Sequence, residues 1–422
     1  MPAVEADDPR GEPAAGGAAV NRVAGTAEVT PDWGLLATRV RQEVTGGWDD
    51  STAVARFKGR GGTLVRGYGR LAGPRTVTVD DDSYTARRGV VFATGSQPAI
   101  PPIPGLADVG YWTTHDVIET ETLPASVIVL GGGTVGCELG QVLARFSAQV
   151  TIVEQRDRLL PAEEPEASDV VAAALSDEGI AVHAGSPVEN VSSEDGQIAA
   201  TTGDGTVLRA ERLLVATGRV VDAGALGLDT VGVDASFGHV PVDARCRVAA
   251  GVWALGDVTG RAMFTHVALH QAGIVADDIL GLEPAPADDR PPPRATFTDP
   301  EVGAVGLTEE EARAQGITVD VVVKQVPATF RGWLHGPGNA GVFKLVVDRN
   351  AGVLVGATAV GPEAGETLSM LALAVHARLP LGSLRSMIYA FPTFHGGVGE
   401  TIGAYARGLV TVLDPVFDPL VP

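Results

Sequence analysis

The sequence has little with which to make covalent or metal staples: its 422 residues include only two cysteines, Cys137 and Cys246. They lie far apart, form no C-x-x-C and fit no metal-ligand spacing. A disulfide framework and a zinc site are therefore not indicated, and each cysteine reads as a small packed residue. Lysine is almost as scarce, confined to Lys58, Lys324 and Lys344, so nearly all positive charge is arginine. A formal net charge of −21 with no basic cluster makes nucleic acid or an anionic membrane surface a poor partner, because both would be repelled. No apolar run approaches the roughly 18 residues of a membrane-spanning helix, so membrane insertion is not expected. The N-terminal stretch MPAVEADDPRGEPAAGG lacks a basic start followed by an apolar segment, which makes a cytoplasmic location the expectation. No tandem repeat is found.

What is present is a chain long enough for two or three domains and, at 45% hydrophobic residues, of ordinary globular composition. Residues 1–30 are rich in Ala, Gly, Pro and Asp without periodicity. From about Thr63 to Val79 come short β-type runs, then GVVFATG and the turn PAIPPIPG. Next follow the strand ASVIVLGGG, a helix through VGCELGQVLARF, the strand QVTIVEQ and a helix near EPEASDVVAAALSDEG. That order predicts βαβ units and a parallel sheet. The Pro-rich EPAPADDRPPP reads as a linker into an α+β module, with capping-box spacing at Thr308–Glu311 and a helix over 363–379.

The strongest chemical signal is Gly131-Gly132-Gly133-Thr134-Val135-Gly136-Cys137-Glu138, between an apolar strand and a helix. Gly131, Gly133 and Gly136 make G-x-G-x-x-G. The first glycine allows the tight turn, the second lets backbone approach a pyrophosphate, and the third lets helix and strand pack, with phosphate at the helix N-terminus. Eighteen residues beyond Gly136, Glu154 ends the second strand, where a carboxylate binds the ribose hydroxyls of NAD and repels a 2′-phosphate. Arg156 and Arg158 lie just beyond and offer a place for that phosphate, which leaves NADP open. Three further strands end in Gly or Asp: VVFATG at 90–95, LLVATG at 213–218 and VWALGD at 252–257. Such strand ends suit the close approach of a cofactor.

With these motifs in this order the chain, from about Thr63 to Gly403, resembles the pyridine nucleotide-disulfide oxidoreductases, the family of dihydrolipoamide dehydrogenase and mercuric reductase. The resemblance implies an α/β fold of two Rossmann-like FAD and NAD(P) units with a C-terminal α+β dimerisation domain. Expected domains are an incomplete FAD-binding domain at 1–115 and 242–288, an NAD(P)H domain at 116–241, a dimerisation domain at 289–412 and a tail at 413–422. It further implies that Glu138 sits beside the nicotinamide and that Gly218 borders the NAD site. Ala93, Thr94 and Gly95 would lie next to FAD, Gly256 and Asp257 would hold its ribityl chain, and Thr265 and His266 would face the isoalloxazine.

Three departures change the expected chemistry. Nothing before Thr63 offers the family's first G-x-G-x-x-G after a strand, so that unit either lies upstream of Met1 or is lacking. The redox cysteine pair and the lysine that would partner Glu138 are missing. The family's His-Pro-Thr motif reads Phe391-Pro392-Thr393-Phe394-His395-Gly396, and Phe391 cannot transfer a proton. His395 is the remaining histidine there, either an acid or base facing the partner subunit's flavin or a packing residue. The expected function is a homodimeric, FAD-dependent oxidoreductase passing hydride from NADH to flavin and on to a small-molecule acceptor. The alternative is a nucleotide-binding dimer with neither flavin nor turnover.

Overall fold

The computed structural model describes residues 29–283, 286–288 and 290–408, and the backbone of the strand Thr411–Val412. The tail at 413–422 and residues 1–28 of the expected first domain lie outside the described residues, as does part of the linker. The described residues divide into two compact units, one built from 29–44, 100–217 and 295–412, the other from 45–99 and 218–294.

The first unit contains a four-stranded parallel sheet with two helices. Its elements are β1 (Ser126–Leu130), α1 (Thr134–Arg145), β2 (Gln149–Val153), α2 (Pro165–Asp177), β3 (Ala181–His183) and β4 (Arg212–Val215). The strands lie in the order β4-β1-β2-β3, with Leu213 opposite Ile128, Val129 opposite Ile152 and Val153 opposite His183. Both faces are covered, which is why the strands read as continuous apolar runs rather than alternating ones. Val127, Val129 and Ile152 pack with Cys137, Leu143 and Leu175. Ile128, Leu130 and Leu213 face the opposite way, toward Val191, Ile198 and Ala200 of an antiparallel three-stranded sheet at 188–210. Each such buried aliphatic side chain contributes roughly 1.5–3 kcal/mol.

The same unit holds a mostly antiparallel sheet of Arg294–Thr296, Glu301–Gly306, Val353–Gly361, Val342–Asp348, Val319–Gln325 and Thr411–Val412, in that spatial order. The helix Ala364–His376 lays Leu368, Leu371 and Val375 on it. Thr308 and Glu311 form the reciprocal cap of the helix Glu309–Ala314, as the spacing predicts. Lys344, 3% exposed, joins the two sheets' surroundings by reaching Glu164 and Glu166 at the start of α2 and Glu309, at 2.9, 2.9 and 3.1 Å.

The second unit has a three-stranded meander at 69–85 and a small sheet in which Val252–Ala254 runs parallel to Val90–Phe92. The units exchange chain at 99/100 and 217/218, against expected boundaries at 115/116 and 241/242. Backbone pairing and burial explain the difference. Trp112 bridges Leu214 beside β4, and Leu106 is buried with Ile128 and Val191, which ties 100–115 to the first unit. Val221, Leu226, Leu228 and Val240 bury with Leu71 and Phe92, which ties 218–241 to the second.

Candidate functional site

The turn after β1 is shaped by its glycines. Gly131 has φ +109° and a Cβ there would lie 2.5 Å from Ala216 O, while a Cβ on Gly136 would lie 1.9 Å from Gly131 O. Both positions are closed to any side chain by the protein itself. Gly133 differs, because a Cβ there would meet nothing within 4 Å. It is the N-cap of α1, no side chain caps the helix, and its first turn carries no acid. The helix therefore begins in open space with free N–H groups and its positive dipole end, the chemistry that receives a phosphate anion. Thr134 and Val135 form that first turn, Val135 exposed.

Glu154 immediately follows β2 and is 6% exposed. Its carboxylate accepts from Gly132 N–H at 2.7 Å and Arg156 N–H at 2.8 Å, so it anchors the glycine loop from inside. Arg158 donates to Glu163 O and Pro161 O at 2.7 and 3.1 Å, which commits its guanidinium to the local backbone. Arg156 is exposed.

One face of α1 is zipped to the segment that enters the antiparallel sheet. Thr134 and Thr296 hydroxyls lie 3.1 Å apart, Glu138 accepts from Phe297 N–H at 2.7 Å, and Gln141 bonds Asp299 N–H and O at 2.8 Å each. Arg145 reaches Asp299 at 2.9 Å and Glu178 at 2.6 Å. Residues 134, 138, 141 and 145 have the spacing of one helical face. Burial raises the Glu138 carboxyl above its ordinary value, with the Phe297 N–H opposing. Burial, then the charges of Glu154 and Glu138, push the Cys137 thiol up to about 12, so it is not a thiolate at neutral pH. Cys246 is fully buried in the other unit.

In the second unit the strand ends expected to meet a cofactor gather around Asp257. Ala93 and Thr94 are exposed at the end of Val90–Phe92, followed by Gly95 at φ +69°. Gly256, at φ +76°, donates its N–H to Gln271 Oε1 at 2.7 Å and precedes Asp257. Ser96 Oγ donates to Asp257 Oδ2 at 2.6 Å, and Arg219 Nε lies 3.5 Å from the same oxygen. Gly218, at φ +117°, leads into Arg219. Thr265 and His266 open the helix Thr265–Leu280, which has no side-chain N-cap. His266 stacks on Phe264 and its Nε2 lies 2.8 Å from Pro293 O. An exposed strand end, a held carboxylate and an uncapped helix start suit a polyhydroxylated, phosphorylated cofactor such as FAD. Sequence reading did not single out Ser96 or Arg219. The signal was available, since each directly follows an Ala-Thr-Gly, at 93–95 and 216–218.

In the C-terminal loop Phe391 is 72% exposed with its ring 4.5 Å from Phe330. His395 is half-buried in the first turn of the helix Phe394–Ala406, and no hydrogen bond of its side chain occurs among the described residues.

A parallel sheet in the order 3-2-1-4, with an open glycine turn and an acid closing the second strand, defines a dinucleotide-binding protein. The model of the pyridine nucleotide-disulphide oxidoreductases matches residues 27–272, that family's dimerisation domain matches 292–402, and the chain belongs to this family. It is thus an FAD-dependent enzyme of the NAD(P)H:acceptor oxidoreductase type, with a dimerisation domain. The dihydrolipoyl dehydrogenase of Chlorobaculum tepidum is 36% identical over 77% of this chain and 70% of the relative. The mercuric reductase of Bacillus cereus is 32% identical over 79% of this chain, which spans 54% of that relative's length. The HOCl-induced flavoprotein disulfide reductase RclA from Escherichia coli superposes with a TM-score of 0.79 at 27% identity, covering 89% of this chain and 86% of that one. No helix among the described residues is long and apolar enough to cross a membrane.

Proposed function

We propose that this chain oxidises NADH and passes the two electrons, by way of FAD, to a small-molecule acceptor without using a thiol pair of its own. The observation that carries the acceptor reading is Phe391, an exposed hydrocarbon ring where the family's acid–base histidine stands, together with two cysteines that are fully buried in different units. When bound, FAD supplies a carrier that accepts two electrons as hydride from a nicotinamide and releases them to another acceptor.

The protein's part is binding, orientation and control of protons. The open N-terminus of α1 at Gly133 receives the pyrophosphate, and Glu154, fixed by two backbone N–H groups, presents its carboxylate to the adenosine ribose. A 2′-phosphate would meet that carboxylate, and Arg158 is committed to backbone carbonyls, so the site prefers NADH to NADPH. Glu138, held by Phe297 N–H, fixes the nicotinamide end, and its raised carboxyl retains a proton to a higher pH than a solvated glutamate. In the other unit Asp257, together with Ala93, Thr94, Gly95, Gly256, Thr265 and His266, binds the flavin nucleotide. Two copies associate through the dimerisation domain, and His395, in the first turn of the helix that follows Phe391, is the histidine of the segment that takes part in the acceptor site.

The test is to supply purified protein with FAD, record its visible spectrum, and add NADH anaerobically. A yellow protein that bleaches, and then reoxidises with a quinone or dioxygen but not with lipoamide or glutathione disulfide, supports the reading. A colourless protein that still binds NADH overturns it in favour of a nucleotide-binding dimer without turnover.

A further inference from the structure

Resting on the reading that Asp257 faces the flavin nucleotide, the geometry points to Arg219 and Ser96 as positioning residues that set this carboxylate for a ligand hydroxyl. Neither side chain is itself called on to touch the cofactor.

The three residues come from three separated segments of the second unit. Ser96 follows Gly95 and Arg219 follows Gly218, and these two segments pair antiparallel, Arg219 opposite Pro98 and Val220 opposite Gln97, with Ala99 N–H donating to Gly218 O at 2.9 Å. The pairing delivers Arg219 onto Ser96. Its Nε donates to Ser96 Oγ at 2.5 Å and its Nη2 donates to Ser96 O at 2.6 Å, so the guanidinium grips both the side chain and the backbone of one residue. With Arg219 donating to it, the Ser96 hydroxyl has its own proton directed at Asp257 Oδ2, 2.6 Å away. The guanidinium also lies 3.5 Å from Oδ2, on the same side of the carboxylate. Among the described residues, the hydrogen bond and the ion pair of the Asp257 side chain both fall on this one oxygen. Oδ1 carries no hydrogen bond among the described residues, and the side chain retains 22% exposure. An anion with one oxygen tied and the other free is an acceptor for a hydroxyl of a polyol chain. A serine alone would be a rotor with three staggered settings, and the fork of Arg219 selects one of them.

A relay of this kind acts only through Asp257, which gives a test that a merely structural role would not pass. Equilibrium FAD affinity of flavin-stripped protein is measured by fluorescence titration for wild type, Asp257→Asn, Arg219→Met, Ser96→Ala, Arg219→Lys and the double variant Arg219→Met with Asp257→Asn. Melting of each flavin-free protein is recorded alongside. Losing one charge-assisted hydrogen bond corresponds to roughly ten-fold weaker binding. The expected result is about that loss for Arg219→Met and for Ser96→Ala, with unchanged flavin-free melting and partial recovery in Arg219→Lys, which keeps a donor but not the fork. In the double variant Arg219→Met adds nothing to Asp257→Asn. Asp257→Asn weakening FAD while Arg219→Met and Ser96→Ala leave it unchanged would overturn the relay and leave the flavin reading standing. Additive losses, or losses that track a fall in melting temperature, also overturn it. Asp257→Asn without effect, or wild type taking up no FAD, refutes the flavin reading itself. Should Arg219→Met fail to fold, Ser96→Ala, which removes a single oxygen, decides between these outcomes.

Discussion

Glu154 is where the proposed nucleotide preference is most sharply testable, and Glu154→Gln is the informative change because it keeps the volume and removes the charge. In the wild type both carboxylate oxygens are used by the loop, one by Gly132 N–H at 2.7 Å and the other by Arg156 N–H at 2.8 Å. A glutamine has one acceptor oxygen and an NH2 group, so one of those N–H groups is left facing another donor in a side chain that is 6% exposed. That conflict costs about 1–3 kcal/mol of local stability. The loss toward ligand is separate: exchanging a charged acceptor for a neutral one at the ribose removes roughly 1.5–3 kcal/mol, a 10- to 150-fold weaker NAD⁺. The charge also works against a 2′-phosphate. Two like charges about 4 Å apart at an effective dielectric near 20 repel by about 4 kcal/mol, and this repulsion vanishes in the variant. The expected outcome by isothermal titration calorimetry is an NAD⁺ affinity at least about tenfold weaker while NADP⁺ affinity does not fall. An NAD⁺ affinity within a factor of about two of wild type, or an equal fall for NADP⁺, would refute the ribose role, since two-fold is well below what one charged hydrogen bond supplies.

Lys344→Met should destabilise the first unit by about 3–5 kcal/mol, because it leaves Glu164, 4% exposed, beside Glu166 and Glu309 with no cation between them. At about 2–4 °C per kcal/mol that is a melting shift of about 6–20 °C by calorimetry, and a shift under about 1 °C would sink the argument. The pH dependence has a defined sign. Burial lowers the Lys344 ammonium's value but Glu166 and Glu164 raise it further, to a net position above 10.5, so its contribution is present below pH 10.5 and lost only as pH rises past the folded value. Burial raises the Glu309 carboxyl, yet Arg313 and Lys344 bring it below 4.5, so its contribution is present above that and lost in acid. The deficit of Lys344→Met should therefore shrink below about pH 4.5 as the uncompensated carboxylates take up protons.

Glu138→Gln keeps an acceptor for Phe297 N–H and removes the group whose value burial raises. Such a group favours folding fully below 4.5 and loses that contribution as pH rises through its folded value. The variant should thus melt at or above wild type at pH 7, with its relative advantage gone at pH 4, and a lower melting temperature at pH 7 would contradict this. Replacing Cys137 and Cys246 by alanine should leave NADH-driven turnover per bound flavin unchanged, as should iodoacetamide on the native protein, because the Cys137 thiol sits near 12 and both are buried. Inactivation by the alkylating agent would restore a thiol role.

The glycine turn was legible in the sequence because each of its constraints is local. Gly131 and Gly136 stand where backbone leaves no room, Gly133 where the helix must stay open, and Glu154 one strand away at the spacing a βαβ unit imposes. The α1 helix, the paired strands and the cap at Thr308–Glu311 followed from periodicity and capping for the same reason. Unit boundaries were less legible. Proline and glycine mark turns, but whether 100–115 and 218–241 join one unit or the other depends on which strand Trp112 reaches and which core receives Val221 and Leu228.

Sequence by itself determined the parallel sheet, the glycine turn and the presence at position 391 of a phenylalanine, which cannot transfer a proton, since these are written in residue identity and short spacing. Tertiary structure alone decided what surrounds the reactive carboxylates. Glu138 meets Phe297, 159 residues on, Asp257 meets Ser96 across 161 residues, and Arg219 meets Ser96 across 123. Contacts at such separation arise from how strands and helices pack, and no pattern of neighbouring residues encodes them.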